Sequence, residues 1–345
     1  MGIGAERVMA CFSHTHSGAR STPEYLATLD EAVARAAARA AATLRPARVG
    51  WGTGRAEAGV NRRPRDDVGR AFIGEAPERP IDRRLGVFMV DDGTGEPLAA
   101  LLWYGAHPNV LKADSNLASA DWPGAARRVV EDALGCPVLF ALGSAGDVNA
   151  RWRGDPRALE RMGRTVGGEA LDAIAKTETR PLERLETATE TLPLRMKPLP
   201  EGSEAEKMAA EVAERWSPPT DLWLREVRHR EDRGELVPEL PLEIHAVLIG
   251  EGVLAGIPME PFARIGLSVA ERLALRPVFF GGCTNGWIGY LPTADEHAAG
   301  GYEVEQAPVV YGPLTGWLTP ALPETADAVA EAAIELVRGT VASQG

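Results

Sequence analysis

Cysteine is scarce in this 345-residue chain, which carries only Cys11, Cys136 and Cys283. They are odd in number, far apart and without CxxC spacing, which argues against a disulfide framework or a thiolate zinc site and fits a reducing compartment. No run of about 18 uninterrupted apolar residues occurs, so no transmembrane segment is expected. The start MGIGAERVMACFSHTH has neither the length nor the order of a signal peptide. As it stands the chain reads as soluble and cytoplasmic; a signal upstream of Met1 would make it secreted or periplasmic. Positive charge is also short. Lys and Arg number 37 against 49 Asp and Glu, a net charge of −12, which repels nucleic-acid phosphates and anionic lipid surfaces. Internal repeats and low-complexity segments are missing too.

What is present is ordinary globular composition, 45% hydrophobic and 25% charged, in a length that suits one large domain or two. Thr22-Pro23 is a helix start, and PEYLATLDEAVARAAARAAATL continues it over about 23–44. Segment 45–83, rich in Gly, Pro and Arg, shows no sustained period and reads as irregular connection containing NRRP at 61–64. LGVFMVDDGTGEPLAALLWYGAHP reads as a hairpin whose second strand ends near His107. A helix then begins after Asp121 and closes at Gly135, followed by the buried strand CPVLFALG and the loop GSAGDVNARW. A helix over 156–176 and a strand over 184–195 come next. Ser203 and Glu206 form a capping-box pattern that opens a charged helical insertion, 198–240. LEIHAVLIGEGVLAGIP reads as a second hairpin, MEPFARIGLSVAERLAL as a helix, RPVFFGGCTNGWIGYLPT as a strand entering a loop, and 322–339 as the closing helix. The expected class is α/β, mixed β-sheets flanked by helices in one continuous domain over 1–345.

The densest chemistry is HTHSG at 14–18. In extended backbone, residues i and i+2 share a face, so His14 and His16 present two imidazoles to one site, unless they are surface residues near a frayed start. The apolar run Val8–Phe12 before them has little preceding structure to pack on. His107 precedes Pro108, which keeps it extended and gives its ring a defined aim, as a ligand or as a hydrogen-bonded structural residue. Glu260 lies at a strand-to-helix turn, where a carboxylate also favours the helix dipole. Gly146-Asp147-Val148-Asn149 is a tight turn or an active-site loop. Asn285-Gly286 signals a turn leading to Trp287 and Tyr290, and Tyr302 stands beside the Gly300-Gly301 pair, which reads as flexible.

The order of these pieces resembles the catalytic domain of the neutral/alkaline (non-lysosomal) ceramidases. HTHSG, NRRP, AHP, SADWPG, GDV, PxEPF, TNxxxxYLPT and GGYE occur in that family's sequence, over about residues 7–312, with 178–240 the least recognisable part. The resemblance implies hydrolysis of an N-acyl amide, ceramide-like or smaller, at one Zn²⁺ held by His14, His107, Glu260 and Tyr290. Arg62 and Tyr302 would hydrogen-bond a carbonyl or developing oxyanion, His16 would handle protons, and Asp147 would belong to the catalytic loop.

Three departures bear on this expectation. The family's catalytic serine after GDV is Asn149, whose amide cannot serve as a nucleophile, and Ser144 is a distant substitute within the loop. Metal-bound water is then the expected nucleophile, with Asn149 hydrogen-bonding the carbonyl. The glycine usual before the glutamate is Met259, which would reshape the pocket. The extra C-terminal, Ig-like domain has no counterpart, and only 13 residues precede HTHSG, which suggests missing early strands and an exposed sheet edge. A catalytically silent lipid- or amide-binding relative is the alternative reading, and a third is a true ceramide hydrolase. The oligomeric state is left open.

Overall fold

The computed structural model describes residues 3–19, 21–111, 115–216, 218–274 and 276–342. Helix α1 (Pro23–Ala42) starts as the Thr-Pro signal requires, with the Thr22 side chain accepting the Tyr25 N–H. None of its residues is buried. Segment 45–83 departs from the expected irregular connection, because β1 (Ala47–Arg55) and β2 (Gly59–Asn61) lie within it. The remaining strands are β3 (Arg84–Asp92), β4 (Pro97–Tyr104), β5 (Val138–Leu142), β6 (Val148–Ala150), β7 (Arg180–Pro181), β8 (Leu185–Arg195), β9 (Glu239–Ile249), β10 (Gly252–Gly256), β11 (Glu260–Pro261), β12 (Val278–Gly281) and β13 (Tyr290–Leu291). The remaining helices are α2 (Asp121–Leu134), α3 (Pro156–Ile174), α4 (Ser203–Trp216), α5 (Asp221–Asp232), α6 (Ala263–Arg272), α7 (Ala294–Ala299), α8 (Ala307–Thr315) and α9 (Thr325–Ala342).

Two sheets dominate, one in the order β5-β4-β3-β1-β7 and the other β12-β10-β9-β8. Both expected hairpins form, β3 with β4 and β9 with β10. Alternation along each strand decides the layers. Leu85, Val87 and Met89 of β3 and Leu102 and Tyr104 of β4 pack with Trp122, Val130, Met162 and Val166 of α2 and α3. On the opposite face, Trp51 and Trp103 meet Leu254 and Phe279 of the second sheet. That sheet's other face packs Leu242, Ile244 and Leu248 against Val269 of α6 and Val329, Ile334 and Val337 of α9. The layers therefore run helix, sheet, sheet, helix, and the mixed α/β class is the observed one.

β1 escapes sequence reading because Gly50, Gly52 and Gly54 interrupt its β-forming residues. A Cβ at Gly52 would lie 2.1 Å from Thr177 Oγ1, and one at Gly50 2.3 Å from the Glu178 carbonyl oxygen. Close approach of the segment after α3 selects the small residues there. In the 198–240 region, α4 and α5 pack Ala205, Val212, Trp223 and Val227 on Val309 of α8. Glu206 does not close a capping box; its carboxylate accepts from Arg228 of α5. Among the described residues no helix is long and apolar enough to cross a membrane.

The N-terminal segment finds a partner after all. Cys11 bridges to Thr284, Phe12 N–H donates to the Cys283 carbonyl at 3.0 Å, and Ala10 exchanges hydrogen bonds with Asn285. Met9 and Cys11 pack on the cluster between the sheets, while Val8 and Phe12 stay exposed. Leu139 on the edge strand β5 is exposed as well. The pairing with 283–285 ties the histidine motif to the loop that leads into β13.

Candidate metal centre

Three backbone devices converge here. Residues 10–12 pair with 283–285, and His14 follows in left-handed backbone, φ 64°. His107 bridges in parallel to Asn149; its N–H and its Nδ1 both meet the Val148 carbonyl, at 2.9 and 3.0 Å. A carbonyl can only accept, so Nδ1 carries the proton of the neutral ring and Nε2 offers its lone pair inward. Glu260 of β11 pairs in register with Tyr290 of β13, which sets the carboxylate beside the phenol.

These elements bring the side chains together. Glu260 lies 3.2 Å from His14 Nε2 through Oε1 and 2.8 Å from His107 Nε2 through Oε2. The His16 ring centroid lies 5.0 Å from that of His14 and 5.7 Å from that of His107. One nitrogen from each of the three histidines falls within 4.8 Å of the others. The sequence reading kept His16 outside the ligand set, whereas the structure places it level with His14 and His107. Tyr290 is buried, with its ring stacked 6.4 Å from that of His107.

A resident cation fits this set. His14 Nε2 and Glu260 Oε2 are buried and, beyond the close contacts that the histidines and the carboxylate make with one another, have no hydrogen-bond partner among the described residues, an arrangement that ordinarily marks an ion's place. Imidazoles and a carboxylate are borderline-to-hard donors, the combination that suits Zn²⁺. Charge points the same way. Burial alone would lower His14, yet Glu260 and then Cys283 raise it well above its ordinary value. Burial would raise Glu260, but His14 and His107 hold it well below the carboxylate range. Burial and Arg62 push His107 down. The pocket thus balances its buried carboxylate with one protonated imidazole, a place that a cation can take. Burial, then Glu260, pushes the Tyr290 phenol up. The His16 residue keeps exposed surface at the mouth, but its ring is crowded by the other two imidazoles, and loss of water around that ring, then His107 and His14, push it down to about 3.

Arg62, directly after β2, donates through Nε to Glu303 at 2.7 Å and lies 3.1 Å from His107 Nε2 through NH1. Its NH2 is buried and unpartnered, a spare donor beside the site. Tyr302 lies in a π-helical turn, Tyr302–Gln306, its ring 5.9 Å from Tyr290 and 5.1 Å from Trp216 of α4, with its hydroxyl on Tyr311. The Gly pair before it is not loose. Gly300 and Gly301 hold φ of 60° and 88°, and a Cβ at Gly301 would sit 2.7 Å from the Ala71 carbonyl oxygen.

Asp147 makes its hydrogen bonds away from the histidine cluster. It accepts from Ala263 N–H at 2.7 Å and from Asn61 Nδ2 at 2.9 Å, bracing the loop against α6 and the strand that leads to Arg62. Asn149 is buried and accepts from Asn109 Nδ2 at 2.8 Å. Ser144 donates to the Phe280 carbonyl at 3.2 Å in the core, and Met259 is buried in the core of the second sheet.

Several neighbours make contacts that the sequence did not assign. Trp287 donates its indole N–H to Glu260, Arg63 links Glu296 and Glu303, and Cys283 lies close enough to raise His14. Trp287, Arg63 and Glu303 each stand inside a motif already singled out, one residue or a few from the side chain chosen, and that adjacency was the available signal.

Two solved structures share this fold. One is a neutral ceramidase from Pseudomonas aeruginosa, 21% identical with a TM-score of 0.69, and the match covers 96% of this chain and 60% of that one. The other is a ceramidase complexed with C2, 20% identical with a TM-score of 0.68, covering 96% and 61%. This chain therefore spans about three fifths of their length. No protein-family model matches the sequence, and no curated protein does. Fold and site together define a class: an α/β protein with the ceramidase fold and a histidine cluster able to hold a metal ion. At this identity the likeness establishes the fold.

Proposed function

We propose that the protein is a zinc-dependent hydrolase of N-acyl amides, ceramide-like or smaller, with water rather than a side chain as nucleophile. The observation that carries this reading is the convergence of His14, His107 and the buried Glu260, whose facing atoms His14 Nε2 and Glu260 Oε2 have no hydrogen-bond partner outside the cluster. His14, His107 and Glu260 would hold one Zn²⁺, with Tyr290 and His16 flanking it. When bound, the ion lowers the pKa of water and polarises a carbonyl.

The chain's own residues supply the rest. His16, neutral at the mouth, hydrogen-bonds the attacking water and passes its proton on to the leaving amine. Arg62 points its unpartnered NH2 at the carbonyl oxygen as negative charge develops. Tyr302, whose hydroxyl donates to Tyr311, lines the mouth beside Tyr290, and Asn149 directs its free Nδ2 to the same carbonyl. Asp147 acts through the loop, fixing Asn61 beside Arg62. A panel of N-acyl amides incubated with metal-loaded and chelator-treated protein tests the reading. Zinc-dependent release of acid and amine is expected, and no release from any member contradicts it.

One observation favours a second reading. Asn149 stands where the ceramidase serine is expected, so a silent amide-binding protein would retain the pocket without turnover. Binding of the panel without release of acid distinguishes it.

A further inference from the structure

Two carboxamides flank His107. Asn109 is two residues beyond it, in a turn whose N–H donates to the His107 carbonyl at 3.0 Å. Asn149 reaches it from β6 through the parallel bridge. A pair of carboxamides can close a ring of two hydrogen bonds, yet only one forms here, from Asn109 Nδ2 to Asn149 Oδ1 at 2.8 Å. Asn149 Nδ2 and Asn109 Oδ1 are both shielded from solvent and unpartnered. Buried polar atoms in folded proteins nearly always have partners, so a free donor and a free acceptor side by side describe what is to be bound. Asn149 itself is 1% exposed.

We propose that Asn109 and Asn149 together read the C=O and the N–H of the substrate's amide, and that Asn109 determines specificity for amides over esters. The inference rests on the hydrolase reading. Asn149 Nδ2 donates to the carbonyl oxygen, and Asn109 Oδ1 accepts the amide N–H. Asn109 also holds the Asn149 amide in the rotation that turns its NH₂ toward the ligand. An ester fills the first position only and sets its alkoxy oxygen against Asn109 Oδ1, leaving a buried acceptor unpaired. Sites built around a substrate N–H or O–H reject the analogue lacking it far more strongly than apolar pockets reject a missing methylene. The replacement of a serine by Asn149 then reads as half of a new recognition element.

N-methylhexanamide and methyl hexanoate, which differ only in N–H against O, provide the test. With zinc-loaded protein, kcat/KM for each is measured in wild type, Asn109→Ala and Asn109→Ser, the last keeping a small acceptor. The amide-to-ester ratio is expected to fall at least about tenfold in Asn109→Ala and less in Asn109→Ser. An unchanged ratio, even with both rates reduced, overturns the proposal, because a merely structural role would lower both alike. Ligand-observed NMR titration of the same two compounds supplies a readout without turnover. Wild type is expected to prefer the amide and Asn109→Ala to lose that preference. If neither compound is hydrolysed but the preference holds, the hydrolase reading fails and the amide reader stands. If hydrolysis occurs without the preference, the reader fails alone.

Discussion

Trp287 donates its indole N–H to Glu260 Oε1 at 2.7 Å. That bond fixes the rotation of a fully buried carboxylate whose other oxygen faces His107, and the Trp287 ring rests edge-on against Tyr311 at 5.0 Å. A donor aimed at a ligating carboxylate orients it and tunes its basicity, and loss of such partners typically costs 10- to 100-fold in metal affinity. Trp287→Phe keeps the ring and removes the donor. Zinc affinity, measured by competition with a chromogenic chelator, is expected to fall about tenfold, whereas an unchanged affinity would show that Glu260 needs no such support.

Glu303 anchors two buried guanidiniums. It takes Arg62 Nε on one oxygen and Arg63 on the other, while Arg63 also meets Glu296 and the Gly300 carbonyl. Removing one partner of a buried pair leaves a charge uncompensated. Glu303→Ala is expected to lower unfolding free energy by about 3–5 kcal/mol in urea titration, and a loss under about 1 kcal/mol would mean that Glu296 suffices for both arginines.

Asp147 sets a pH dependence. Burial first, and then Glu296 and Glu303, push it up from 3.8 to about 6, against the Ala263 N–H that lowers it. A carboxyl raised on folding binds its proton more tightly in the native state. Its contribution is therefore full below 3.8 and is lost as pH rises through about 6. Relative to Asp147→Asn, wild type is expected to gain about 1 kcal/mol as pH falls from about 7.5 to about 5. A gap that stays constant or moves the other way would contradict the shift.

Two glycines near or on α3 separate packing from conformational freedom. A Cβ at Gly52 would meet Thr177 Oγ1 at 2.1 Å and Val87 at 2.8 Å, whereas one at Gly168, inside α3, meets nothing within 4 Å. Gly52→Ala is expected to cost about 1–3 kcal/mol and Gly168→Ala to gain about 0.5–1 kcal/mol, both read from thermal or urea unfolding. Equal effects would refute the close packing against β1.

These cases also show what was legible in the sequence. Alternating strands such as β3 and β9, and helices opened by Thr22-Pro23 or closed by Gly135, announce themselves because local propensity and burial agree. β1 does not, because its glycines answer to the segment after α3, which is distant in sequence. The same divide runs through the site. Motif order placed His14, His107, Glu260, Tyr290, Arg62, Tyr302 and Asn149 in one neighbourhood. It named Trp287 without a role and left out Glu303 and Asn109; the contacts of these three come from pairings across 27, 241 and 40 residues. It also put Asp147 among the catalytic residues, and the contacts of that carboxylate run to Asn61 and the Ala263 N–H.

The central claim is that His14, His107 and Glu260 form a metal centre. Elemental analysis of the purified protein, wild type beside His107→Ala, tests it most directly. About one zinc per chain in wild type and its loss in the folded variant are expected for a site of this donor set. Wild type without stoichiometric metal, or a variant that retains it in full, would contradict the account.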